Sequence, residues 1–366
     1  MTTSSPRWEP PGFKADLQQA LDAFVADQVE RLEPLGPDAA KLTDEAAALL
    51  AGGKRLRAAF CHWGYRAVSA EDPAAGSDGA ALAKACAALE VLHASALVHD
   101  DLMDDSATRR GRASTHTHFA NLYRAADWPE RRLSSPERYG SAGAILLGDL
   151  MLSWADEMLR RCGLPADRVL AALDILDECR SEVIVGQFLD VSVQARGTAD
   201  VDTAMTVLRY KSAKYSVERP LHIGAALAGA DDTTLAALSD YGLPLGEAFQ
   251  LRDDLLGVFG DPQATGKPAG DDLVQGKRTV LVALALDNAN QAEAQLLNRS
   301  LGAEIDGAGI VRLRDIIESS GAKAQVEAAI ELLTDRAVAA LTKAQLTESA
   351  TAALTDLATA ATVRAS

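Results

Sequence analysis

The sequence predicts an all-α protein. Ala and Leu are abundant, apolar positions recur at intervals of three and four, and alternating Val/Ile/Thr runs of strand type are almost absent. Of 366 residues, 48% are hydrophobic and 24% charged, a globular composition that excludes a disordered or fibrous chain. No composition shift marks a boundary and no fixed-period repeat occurs. Residues 13–366 therefore read as one domain behind a flexible N-terminus of residues 1–12.

Taken in order, the spacing predicts helices over 13–32, 38–50, 55–70, 78–103, 139–162, 166–195, 200–229, 232–258 and 278–300, with several shorter ones to the end. Breakers separate them: Pro34, Gly36 and Pro37; Gly52-Gly53; Pro73 and Gly76; Gly163 and Pro165; Gly197; Asp261-Pro262. Two stretches interrupt the rhythm. Residues 107–138 read as a long Arg-rich loop with room for one short helix, and residues 260–277 as a glycine-rich loop. Long ordered loops in a helical domain usually serve function. The last 75 or so residues are Ala-rich and weakly periodic, and are expected to cover the bundle without contributing chemistry.

Lys and Arg number 36 against 52 Asp and Glu, a net charge of −16. So acidic a chain has no broad face for nucleic acid or anionic lipid. Anionic ligands must be met by local basic clusters or by metal ions. Cys61, Cys86, Cys162 and Cys179 form no Cys-x-x-Cys pair and read as buried thiols in a reducing cytosol. Residues 1–13 lack an apolar core and are not expected to form a signal peptide, and no stretch is expected to reach the roughly 18–20 apolar residues of a membrane span. The expectation is a soluble, cytoplasmic protein with no stable membrane insertion.

The sharpest feature is His99-Asp100-Asp101-Leu102-Met103-Asp104-Asp105, at the end of a helix whose residues 80–98 are nearly all small or apolar. Asp100 and Asp104 share one helix face, one turn apart. Carboxylates so close repel one another, and negative charge at a helix C-terminus opposes the macrodipole. A cation resolves both problems. Hard oxygen ligands suit Mg²⁺, which keeps several waters and shares itself with substrate phosphates. A second pair, Asp253-Asp254, again follows an apolar helix. Two such pairs facing each other across a bundle mouth would hold several ions.

Basic groups complement them. Gly52-Gly53-Lys54-Arg55-Leu56-Arg57 opens a helix, with Lys54 and Arg57 on one face beside the N-terminal N–H donors, as a diphosphate cradle requires. Arg109-Arg110-Gly111 follows the first Asp cluster. Lys211, Ser212 and Lys214 lie on another helix, and Lys267 lies in the glycine-rich loop. That loop is no P-loop, because Pro268 stands where Ser or Thr is required. His93, two turns before Asp100, lies on nearly the same face.

These elements resemble the trans-isoprenyl diphosphate synthase (polyprenyl synthetase) family over about residues 40–285. The resemblance rests on Gly53 to Arg57, Asp100-Asp101-Leu102-Met103-Asp104, Arg109-Arg110, Gly186-Gln187-Phe188-Leu189-Asp190, Phe249-Gln250-Leu251-Arg252-Asp253-Asp254, and Gly260-Asp261 with Gly266-Lys267. It implies an all-α bundle around a deep apolar cavity, usually a homodimer, condensing isopentenyl diphosphate with an allylic diphosphate. Asp100, Asp104 and Asp253 would ligate three Mg²⁺ on the allylic diphosphate, supported by Asp101 and Asp254. Arg109, Lys211 and Lys267 would bind that diphosphate. Lys54, Arg57, His93 and Arg110 would bind isopentenyl diphosphate, and Ser212 and Gln250 would lie near the developing cation. Three departures stand out. Gly257 replaces a frequent third Asp, Ser212-Ala213 replaces a common Thr-Gly, and Ser114 replaces a frequent Pro, with residues 121–138 resembling an insertion.

Product length follows from the helix bearing Asp100. Ser95 and Ala96, about one turn before it, are both small. In the family an aromatic at either position stops the product short, so a product longer than C15 is expected, C20 first and longer polyprenyl chains second. Leu89, eleven residues before Asp100 and so about 16 Å below it at ~1.5 Å per residue, is a candidate floor. A class I terpene cyclase fits less well, since Asp253-Asp254 stands where such enzymes carry an Asn/Ser/Glu triad. A non-catalytic partner subunit would have lost the Asp clusters that this chain keeps.

Overall fold

Helix dominates as the spacing predicts, and the strands among the described residues are two of two residues each. The computed structural model describes residues 6–69, 78–126, 134–198, 200–261 and 270–363. In order, the elements are α1 (Phe13–Leu32), a 3₁₀ turn (Glu33–Leu35), α2 (Pro37–Leu50), α3 (Leu56–Val68), α4 (Asp78–Met103), β1 (Thr108–Arg109), β2 (Arg112–Ala113), α5 (Thr115–Ala125), α6 (Pro136–Arg160) and α7 (Ala166–Arg196). Then follow α8 (Val201–Leu208), a π-helical segment (Arg209–Glu218), α9 (Arg219–Leu227), α10 (Asp232–Phe259), α11 (Asp271–Val274), α12 (Val280–Asn288), α13 (Gln291–Ser300), α14 (Gly307–Ser319), α15 (Ala322–Leu341) and α16 (Glu348–Thr362).

Several starts are set by local chemistry. Ser135, Asp200, Asp231, Thr279, Asp306 and Thr347 each accept a backbone N–H of the first turn of their helix. Such a cap is worth ~1 kcal/mol.

The chain forms two compact units: Met1–His62 with Glu71–Leu173, and Trp63–Ala70 with Asp174–Ser366. In the first unit α4 is central, packed by α1 and α6, with α5 on α6. Its apolar residues run all round, as a buried helix requires. Leu82, Ala85, Leu89 and Val91 are all at most 2% exposed. Gly148 on α6 admits the His99 ring, since a Cβ there would overlap it. In the second unit α10 is central, packed by α15, α16 and the π-helical segment. Its Tyr241 hydroxyl donates to the Leu354 carbonyl at 2.7 Å.

Four expectations are corrected. The helix foreseen over 278–300 is two helices, because Asn290 caps α13 by accepting from the N–H groups of Ala292 and Glu293. The span read as a loop from 107 holds a hairpin besides the one short helix, α5, for which it had room. The continuous helix foreseen over 200–229 is interrupted by the π-helical segment. Finally, α4 is long and apolar enough to cross a membrane by length and composition, with a mean hydropathy of 1.5 over an 18-residue window. That window is 67% buried within the chain, the condition of a core helix.

Candidate active site

In the first unit, α4 ends in a helix cap that sets the first Asp cluster. Asp105 takes a left-handed φ of 50°. The Ser106 N–H then reaches the Asp101 carbonyl at 2.9 Å and the Asp105 N–H the Leu102 carbonyl at 3.4 Å. This is a Schellman end with Asp in the place usually held by Gly. It leaves Asp104 one turn beyond Asp100, its N–H bonded to the Asp100 carbonyl at 2.9 Å.

The next turn separates the two arginines. Thr108 pairs with Ala113 and Arg109 with Arg112, so Arg110-Gly111 is a two-residue connection. Both residues have positive φ, 51° and 74°, as a type I′ turn demands. Arg109 folds back on α4. Its Nε donates to Asp101 at 2.7 and 2.6 Å, its Nη2 also donates to Asp101, and Nη2 lies 3.8 Å from Asp100. Arg110 turns the other way, and a Cβ on Gly53 would lie 3.3 Å from its Nη1. Buried Glu45 on α2 holds the hairpin base, contacting Arg112 at 3.2 Å, Thr115 at 3.3 Å and His118 at 3.7 Å. Ser114 donates its N–H to the Ala107 carbonyl at 3.0 Å, a bond that proline could not make.

Lys54 is exposed on the turn before α3 and Arg57 half-buried in its first turn. Burial, then the charges of Arg57, Arg110, Arg109 and Arg55, push the His93 imidazole well below its usual 6.5. The ring is therefore neutral within a gathering of guanidinium groups. Ser95 and Ala96 have different surroundings. Ser95 is 2% exposed and donates its hydroxyl to the Gly148 carbonyl at 2.7 Å, whereas Ala96 is half-buried, like His93 and Asp100 on the same face. Leu89 is 2% exposed.

In the second unit two glycines clasp the π-helical segment. A Cβ at Gly186 would lie 2.5 Å from the Lys211 nitrogen, and one at Gly246 would lie 2.5 Å from the Ala213 carbonyl oxygen. Backbone therefore packs on backbone from both sides. This places the Lys211 ammonium 2.6 Å from Asp190, the last residue of the Gly-Gln-x-x-Asp element. Ser212 is half-buried beside it. π-Helical turns are frequent at functional sites.

At the end of α10, Asp253 is half-buried and Asp254 is 7% exposed. Gln250 donates its amide to Asp254 at 2.8 Å. Burial above all, with the charges of Asp272 and Asp253 adding to it, pushes the Asp254 carboxyl up to about 7. Gly257 leaves room that the Asp272 carboxylate occupies, since a Cβ there would collide with it. A third carboxylate thus stands against the second Asp motif, supplied from α11, with Lys277 3.6 Å from it. Lys267 lies outside the described residues. Arg252 binds Glu327 on α15 with two bonds of 2.9 and 2.7 Å, and the Thr362 carbonyl at 2.9 Å. Among the described residues no three His, Cys, Asp or Glu side chains close into a metal cage.

Sequence reasoning missed Asp272, Glu45, the pairing of Lys211 with Asp190, and Glu90 on α4, a buried carboxylate that accepts from Arg55 at 3.2 Å. Glu90 left a signal, an acid within the apolar run before Asp100.

A family model described as polyprenyl synthetase matches residues 40–314. The chain belongs to the polyprenyl synthetase family. As a member it is a prenyltransferase that elongates prenyl chains. It is similar to the geranylfarnesyl diphosphate synthase of Natronomonas pharaonis, 32% identical over 80% of this chain and 82% of that one. It is similar to the geranylgeranyl diphosphate synthase of Mycobacterium tuberculosis, 35% identical over 69% of this chain and 64% of that one. Among solved structures, the geranylgeranyl pyrophosphate synthase of Corynebacterium glutamicum, complexed with isoprenyl diphosphate and magnesium, matches with a TM-score of 0.91. It is 36% identical over 97% of this chain and 99% of that one. The all-α reading and the family resemblance of the motifs both stand.

Proposed function

We propose that this prenyltransferase condenses isopentenyl diphosphate with dimethylallyl, geranyl or farnesyl diphosphate and releases geranylgeranyl diphosphate (C20). The observation that carries the reading is the divergence of two adjacent arginines about one turn. Arg109 is directed to the first Asp motif, and Arg110 to the Gly53 turn. Two anion-binding positions beside one helix end are what two diphosphate substrates require.

The donor set fits Mg²⁺. Asp100, Asp104 and Asp253 offer only carboxylate oxygen, and an ion that keeps its waters and shares substrate phosphates needs one or two carboxylates, not a closed cage. Three ions held by these residues would neutralise the leaving diphosphate. Asp101 holds Arg109, and Asp190 holds Lys211, so each cation is aimed before the allylic diphosphate arrives. Lys267 is assigned to the same diphosphate. Lys54, Arg57, Arg110 and neutral His93 bind isopentenyl diphosphate. Such preorganised charge stabilises a departing diphosphate without reorganisation. Ser212 and Gln250 lie by the allylic cation formed when the C–O bond to diphosphate breaks; the isopentenyl double bond attacks it, and a proton then passes to the released diphosphate. Asp254, bonded by Gln250, supports Asp253.

Ala96 leaves the tail a path along the face of Asp100, and Leu89 is the proposed floor. The chain-length names of relatives range from farnesyl to geranylfarnesyl, so longer products form the second reading. The enzyme is proposed to act as one domain over residues 13–366, as a homodimer in the cytoplasm. Apolar side chains exposed on α6 (Ile145, Leu146) and on α7 (Ile184, Val185, Phe188) offer faces for a second copy.

The test is a product assay with Mg²⁺, isopentenyl diphosphate and each allylic starter, the products being dephosphorylated and sized by mass. A C20 alcohol lost on chelation supports the proposal. A ladder beyond C20 moves the floor deeper than Leu89, and no elongation with any starter overturns the reading.

A further inference from the structure

The turn that precedes α3 is conformationally costly. Gly52, Gly53 and Arg55 all have left-handed φ, at 69°, 106° and 57°. Glycine adopts this region freely, but arginine is strained there. Arg55 is nevertheless only 6% exposed. Its guanidinium donates to Glu90 Oε2 at 3.2 Å and to Gln18 Oε1 at 2.8 Å, and also to the Leu50 carbonyl. It points inward while Lys54, its neighbour on the same turn, is exposed.

Glu90 on α4 is 7% exposed. Its other oxygen, Oε1, accepts the Ala58 N–H at 3.2 Å, one of the donors that the first turn of α3 cannot satisfy internally. One carboxylate thus ties both the strained turn and the helix start to α4, three residues before His93 and on the neighbouring face. A buried ion pair is weak evidence for stability, because desolvation offsets the attraction. What such a pair secures here is geometry. Lys54 and Arg57 stand on either side of the point that it fixes.

On the basis of the function proposed above, we infer that Glu90, acting through Arg55, is a positioning residue for the isopentenyl diphosphate cradle. The competing account gives Glu90 only the task of offsetting the charge of Arg55, Arg57 and Arg110. The two accounts predict opposite signs. Removing a negative charge beside an anion site strengthens binding by simple electrostatics, whereas releasing the turn weakens it.

Glu90→Gln keeps the shape and an oxygen for Ala58, and removes the charge that holds Arg55. Rates are measured with isopentenyl diphosphate varied at saturating allylic diphosphate and Mg²⁺, and then with the roles exchanged. Calorimetry measures isopentenyl diphosphate binding to the whole enzyme. The expected result is a KM for isopentenyl diphosphate raised about tenfold, an affinity lowered equally, and an allylic KM changed less than twofold. The double variant Arg55→Leu/Glu90→Gln, which removes both charges and keeps the acceptor for Ala58, should recover thermal stability and keep the raised KM. A KM that falls or stays constant in Glu90→Gln overturns the inference. So does equal loss for both substrates, or recovery of KM in the double variant. A wild-type chain that elongates nothing is a different result, and refutes the proposed function instead.

Discussion

Gly186→Ala would test whether the clasp on the π-helical segment presents Lys211. The added Cβ would lie 2.5 Å from the Lys211 nitrogen, 2.7 Å from the Tyr210 carbonyl carbon and 2.8 Å from the Lys211 Cα. Ordinary contact begins at 3.4 Å, so α7 and the segment must part by 3.4 less 2.5, or about 0.9 Å. All three atoms are backbone, and no side chain can swing aside. Overpacking of this kind costs ~1–3 kcal/mol. Alanine in a helix is favoured over glycine by ~1 kcal/mol, which offsets part of that cost. The net loss of stability is therefore ~0–2 kcal/mol, and the rate is the more sensitive readout. A shift of ~1 Å in a substrate-positioning group can cost about 10²-fold. The expected result is kcat/KM for the allylic substrate lowered ~10–100-fold with a small fall in Tm. Gly307→Ala is the control, since nothing lies within 4 Å of its Cβ. A Gly186→Ala enzyme within twofold of the wild-type rate would refute the idea that close backbone packing sets Lys211.

Ala96→Phe should shorten the product by at least one isoprene unit, read by mass after dephosphorylation. Ser95→Phe should instead lower Tm, because its side chain meets α6 at Gly148, and overpacking there costs ~1–3 kcal/mol. His222 is 6% exposed, with its Nε2 3.0 Å from the Ser239 hydroxyl. Burial first, then the charge of Arg219, lowers it from 6.5 to about 4. The unfolded chain therefore binds the extra proton between pH 6.5 and 4, so stability falls as pH falls through that window, by up to about 3 kcal/mol. His222→Gln should flatten this slope in urea unfolding measured at pH 7 and at pH 4.5. Phe188→Arg, at a residue 69% exposed, should convert a dimer to a monomer in light scattering if α7 carries the interface.

Much of the fold was legible because helix formation is local. The 13–32 and 78–103 boundaries coincide with α1 and α4, where the apolar spacing runs to a breaker or to a cap. Asn290 also carried its signal, a capping residue followed three positions later by Glu293, although the apolar run across it masked the break. The Asp pairs and the Lys54–Arg57 spacing were readable because each is a short motif on one helix face. The π-helical segment was not, and the close packing of Gly186 and Gly246 against it involves positions distant in sequence that leave no mark within residues 209–218. Ser95 and Ala96 looked equivalent as small residues, and only the approach of Gly148 tells them apart.

Spacing alone makes it readable that this chain is helical, that carboxylate pairs lie late in two apolar helices, and that clusters of basic residues accompany them. These are properties of spacing within a few residues, which 3.6 residues per turn converts directly into faces. Tertiary structure alone decided which charge meets which. It directs Arg109 to Asp101 and Arg110 to Gly53, pairs Lys211 with Asp190, and places Asp272 in the room left by Gly257. Such pairings depend on how closely two backbones approach, and that distance is set by the side chains of both partners.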